Sequence, residues 1–140
     1  MSKNKLYVSW SAVDTYITSL SNQIKNLELD VEYITGIPRG GLVPAIMLSH
    51  RAKLKYLPYE KALDLTEARR QKVLVVDDIS DSGATFTSLK IYKFKTASVY
   101  ARHSSTFKPD IVGKEITVDD WLIFPWESRD SETIQDYKKQ

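Results

Sequence analysis

The 140-residue chain contains no cysteine. That excludes a disulfide framework, a thiolate metal site and a cysteine nucleophile. Its two histidines, His50 and His103, are dispersed, which argues against a histidine-based metal centre or a Ser-His-Asp triad. No apolar run approaches the roughly 20 residues that span a bilayer. No apolar stretch of signal-peptide length follows Met1-Ser2-Lys3-Asn4-Lys5. Neither sign of charge prevails, since 20 basic and 18 acidic residues leave a net charge of +2. A dedicated nucleic-acid binder is therefore not expected, and a cytoplasmic location is. With 42% apolar and 27% charged residues, the composition is that of one globular domain of ordinary size.

Apolar spacing supplies the organisation. Ser11-Ala12-Val13-Asp14 reads as a capping box that opens a helix. Val13, Tyr16, Ile17, Leu20, Ile24 and Leu27 continue it at helical spacing, so one face packs on a core. A short buried strand is expected over 31–37, then a helix through Val43, Ala45, Ile46, Leu48 and Ala52. A weak strand at 54–57 precedes a polar, ambiguous stretch at 62–71. A strand over Val73–Val76, a helix over Ala84–Tyr92 and a strand over Ala97–Ala101 follow. Strand–helix alternation of this kind implies a single α/β domain with a central parallel sheet flanked by helices. The last forty residues are expected to be irregular, with an apolar island at Trp121-Leu122-Ile123-Phe124-Pro125-Trp126.

The chemistry concentrates in one run. Val73-Leu74-Val75-Val76 gives way to Asp77 and Asp78, then to Asp81, then to the small-residue loop Ser82-Gly83-Ala84-Thr85. Adjacent carboxylates repel and lose solvation when covered, so a buried strand seldom ends this way for stability alone. Open α/β sheets bind their ligands at the carboxyl ends of strands. The loop entering the next helix offers backbone N–H groups and hydroxyls to an anion. Carboxylates for sugar hydroxyls or a cation, beside a loop for phosphate, point to a phosphorylated sugar with a metal. A second loop of similar kind, Pro38-Arg39-Gly40-Gly41, also leaves a strand and enters a helix. Its glycines permit close backbone approach and its arginine carries a permanent charge for phosphate oxygens. Two anion loops facing one carboxylate-lined gap suit a substrate with phosphate at both ends.

On these residues the chain resembles the type I phosphoribosyltransferases, whose phosphoribosyl-pyrophosphate (PRPP) signature is an apolar strand, two acids, two variable residues, Asp and Ser/Thr-Gly-x-Thr. The likeness narrows to the bacterial xanthine-guanine branch. Arg39-Gly40-Gly41-Leu42-Val43-Pro44 is similar to its pyrophosphate loop, and Trp121 with Pro125-Trp126-Glu127 to its base-binding segment. The opening Val8-Ser9-Trp10 is similar too. The resemblance implies a phosphoribosyltransferase domain over 1–127, with a small irregular hood from the N-terminal segment and 103–127, and a polar tail over 128–140. It implies Mg²⁺-dependent transfer of phosphoribose from PRPP to a 6-oxopurine, by a homo-oligomer, dimer or tetramer. Asp77 and Asp78 would hold the ribose hydroxyls and the Mg²⁺. Asp81 would handle a proton at the purine N7. Ser82, Gly83, Ala84 and Thr85 would wrap the 5-phosphate, and Arg39, Gly40 and Gly41 the departing pyrophosphate. Arg102 takes the place of a lysine that contacts the purine 6-oxygen. Trp121 would stack on the base, and the Leu122 carbonyl would accept from a 2-amino group.

The chain departs from the family in three places. The long flexible loop expected before the PRPP strand is replaced by the short interval 59–72, where Arg69-Arg70 could cover pyrophosphate. Gly83-Ala84 stands where a double glycine is usual, and the tail lacks an apolar ending. The short interval keeps open a non-catalytic PRPP- or nucleotide-binding regulatory module. The hood keeps open transfer to another base.

Overall fold

The computed structural model describes residues 4–128. Of the polar tail, only Ser128 falls within them. In chain order the elements are β1 (Lys5–Tyr7), α1 (Trp10–Asn26), β2 (Tyr33–Gly36), α2 (Leu42–Ala52) and β3 (Lys55–Tyr56). Then come α3 (Tyr59–Leu63), α4 (Glu67–Arg70), β4 (Val73–Ser80), α5 (Ala84–Ser88) and a 3₁₀ turn (Lys90–Tyr92). β5 (Lys95–Arg102), β6 (Ile111–Ile116) and β7 (Trp121–Ile123) complete the set.

Five strands form a parallel sheet in the order β3-β2-β4-β5-β6, and β1 pairs with β7 as a separate two-stranded sheet. Strand alternation assigns the core. Leu74 and Val76 join Val13, Ile17, Leu20 and Leu48 under α1 and α2. Val73 and Val75 join Ala62, Phe86 and Leu89 on the opposite face. Both faces of β4 are covered, which is why its sequence reads as an unbroken apolar run.

Four expectations shift. The cap of α1 is Ser9, whose hydroxyl accepts from the Ala12 N–H at 3.0 Å. Asp14 pairs instead with Arg51 of α2. β4 runs on to Ser80, because Asp77, Ile79 and Ser80 stay in register with Ser98, Tyr100 and Ala101 of β5. Ile111–Ile116, placed by its sequence in an irregular hood, is the fifth strand of the main sheet, in parallel register with β5. Part of the apolar island becomes β7, which pairs in parallel with β1 from near the chain's other end. No helix among the described residues is long and apolar enough to cross a membrane.

Candidate active site

The crevice follows from the strand order. The chain leaves β2 through α2 toward β3, and leaves β4 through α5 toward β5 on the other side. The two connections diverge between β2 and β4, a switch point at which open α/β sheets bind ligands. β2 ends at Gly36, opposite Val76. Beyond that point β4 keeps β5 but loses β2, and Asp77 and Asp78 emerge along the freed edge. A cavity of about 470 Å³ opens here.

Alternation turns the adjacent carboxylates to opposite faces of the strand, which relieves the repulsion expected between them. The Asp77 Oδ1 accepts from the Asp78 N–H at 2.9 Å, and the Asp78 Oδ1 from the Ile79 N–H at 2.8 Å. Each acid is thus fixed by the amide that follows it. Asp78 faces the Pro38-Arg39-Gly40-Gly41 loop so closely that a Cβ on Gly40 would collide with its carboxylate. A larger residue there would have to displace the Asp78 carboxylate. The Pro38–Arg39 peptide is cis, and the Gly41 N–H donates to the Ile37 carbonyl at 2.8 Å. Pro38 and Ile37 line the cavity, whereas Arg39 is exposed beside it.

The second loop is braced from behind. Gly83 has φ +94°, and a Cβ there would stand 2.6 Å from the Phe107 nitrogen. Thr106 donates to the Ser82 carbonyl from its N–H at 3.1 Å and its hydroxyl at 2.9 Å. Phe107 stacks on Phe86 with centroids 5.3 Å apart. Ser82, Gly83, Ala84 and Thr85 all line the cavity with the three aspartates.

Trp121 and Leu122 line the same cavity. The Trp121 N–H donates to the Asn4 carbonyl at 2.8 Å. Behind it Phe124 stacks on Trp126 at 5.0 Å, so Trp126 packs rather than lines. Arg102, expected at the purine 6-oxygen, is engaged with Asp81 and two backbone carbonyls. Its side chain is 6% exposed, is not part of the cavity wall, and donates from Nε to Asp81 Oδ1 at 2.7 Å.

Tyr59, Phe124 and Glu127 line the cavity as well. Tyr59 comes from the short 59–72 interval, at the start of α3. Burial raises its phenol above the ordinary value, and Tyr92 and Asp77 push the same way, so the hydroxyl stays protonated and able to donate. Phe124 and Glu127 lie beyond β7, where Glu127 accepts from the Phe124 N–H at 2.8 Å. Arg70 is occupied in holding the short interval together, donating to the carbonyls of Tyr92 at 3.0 Å and Leu65 at 2.5 Å.

Among the described residues no group of three or more metal-ligating side chains gathers. The pair Asp77 and Asp78 still fits Mg²⁺, which takes one or two carboxylates together with substrate oxygens and water.

The chain is similar in sequence and fold to known purine phosphoribosyltransferases. No family model matches the chain. It is 29% identical to the xanthine-guanine phosphoribosyltransferase of Vibrio vulnificus, over 89% of this chain and 90% of that one. A purine phosphoribosyltransferase from Pyrococcus horikoshii superposes with TM-score 0.72 at 26% identity, over 94% of this chain and 99% of that one. The Helicobacter pylori xanthine-guanine-hypoxanthine phosphoribosyltransferase shares the fold, with TM-score 0.72 at 24% identity and coverage of 89% and 94%.

Proposed function

We propose, on the premise that the chain is built as a type I phosphoribosyltransferase, that it transfers phosphoribose from PRPP to a 6-oxopurine base. Guanine, xanthine and hypoxanthine are the candidate acceptors, and a purine nucleotide and pyrophosphate are the products. The observation that carries this reading is one cavity that brings together Asp77, Asp78, Asp81 and the 82–85 loop with Trp121 and Leu122.

Each group has a task. Amides and hydroxyls of 82–85 hold the 5-phosphate, while Asp77 and Asp78 accept from the ribose hydroxyls. Arg39 and the backbone of Gly40 hold the pyrophosphate and stabilise the charge it gains on leaving, whereas the Gly41 N–H, expected to share that task, is committed to the Ile37 carbonyl. Mg²⁺, when bound at Asp77 and Asp78, supplies further charge neutralisation for that leaving group. Trp121 orients the purine by stacking, and the Leu122 carbonyl accepts from a 2-amino group. Asp81 takes or shares the N7 proton as the ring becomes nucleophilic. Positioning both substrates accounts for much of the barrier reduction, up to roughly 7–11 kcal/mol in favourable systems.

The packed 59–72 segment favours a second reading, a regulatory module that binds PRPP or a nucleotide without turnover, since a lid normally excludes water from such a reaction. Following pyrophosphate release with PRPP, Mg²⁺ and each base separates the two. Base-dependent release supports the transferase; PRPP binding without release supports the module. A homo-oligomer, in the cytoplasm, completes the proposal, and sedimentation measures the assembly.

A further inference from the structure

The guanidinium of Arg102 sits inside a turn. Arg102 ends β5 in register with Ile116, the last residue of β6. From Ile116 the chain passes through 117–120 and enters β7 at Trp121. Arg102 Nη1 donates to the Val118 carbonyl at 2.8 Å and Nη2 to the Asp120 carbonyl at 2.6 Å. Nε holds Asp81 on the other side. One buried fork therefore joins the acid that ends the sugar strand to the segment just ahead of the stacking tryptophan.

From this we infer that Arg102 is a positioning residue, which ties the 118–120 segment to Asp81 and so fixes the separation between Asp81 and Trp121 into which the base fits. The inference rests on the phosphoribosyltransferase reading for its substrate, but its geometry is independent of it. Only a planar fork serves this purpose. Lysine carries one compact ammonium and cannot meet Asp81, the Val118 carbonyl and the Asp120 carbonyl in the same geometry. It could, however, donate to a purine carbonyl directly.

Arg102→Lys and Arg102→Ala are the variants, with folding checked by circular dichroism. Both are expected to raise the base KM by about tenfold or more while the PRPP KM stays within about threefold. Amide exchange of 117–122 is expected to be slow in the wild type and to accelerate about tenfold in both variants. A wild-type base KM in Arg102→Lys overturns the proposal, because a direct contact with the purine would be rescued by lysine and the fork would not. Fast wild-type exchange over 117–122 overturns it as well, even if neither variant folds. If the wild type binds neither PRPP nor a purine, the functional reading fails while the exchange comparison still decides the clamp.

Discussion

The two walls of the cavity are built in different ways. The wall proposed to take the sugar phosphate is continuous in sequence: Asp77 to Thr85 run off the central strand of the sheet into α5. The wall proposed to take the base is assembled from separated pieces, with β7 paired to β1 and its approach held by Arg102 from the end of β5. A strand end fixes its side chains through the sheet's own ladder. A composite wall depends on a few long-range contacts, and it is the part that can vary in shape while the sheet stays constant.

The largest test of this contrast is Asp81→Asn, because Asp81 stands where the walls meet. Turnover is expected to fall roughly 10²–10⁴-fold, the range for a positioned acid or base, while PRPP affinity measured by calorimetry changes little. An unaffected rate would remove Asp81 from the chemistry. Next, Trp121→Ala should raise the base KM by about 5- to 100-fold, in keeping with ~1–3 kcal/mol for base stacking. If the PRPP KM rises equally, the walls do not divide the substrates as described. Gly83→Ala tests the other wall. A side chain at φ +94° with the Phe107 nitrogen 2.6 Å away should lower stability by about 1–3 kcal/mol, read from the thermal midpoint, and raise the PRPP KM more than the base KM. Smallest is Tyr59→Phe, which removes one hydroxyl beside Asp77. A loss of roughly two- to tenfold in PRPP affinity is expected for a neutral hydrogen bond, with the base KM unchanged.

The same contrast explains what could be read from the chain. The β4 run was legible because apolar residues, acids and a small-residue loop follow one another without interruption, and the loop's glycine carries its own conformational signature. The second loop was legible for a similar reason, although the closeness of Gly40 to Asp78 appears only once β2 and β4 lie side by side. Arg102 was located but not understood. Its partners are two backbone carbonyls and an acid, at separations of 16, 18 and 21 residues, and backbone acceptors leave no trace in side-chain patterns. Ile111–Ile116 was missed as a strand because Lys114 and Glu115 interrupt its apolar pattern at the exposed end of an edge strand. Tyr59 was hidden because the short 59–72 interval that carries it has a polar composition that favours no single structure, and it folds into two short helices.

A structure of the protein with a 6-oxopurine nucleotide bound tests the central claim most directly. The account predicts the phosphate on the 82–85 loop, the ribose hydroxyls at Asp77 and Asp78, and the purine against Trp121. A nucleotide with its base away from Trp121, or its phosphate on 39–41 instead of 82–85, would contradict it.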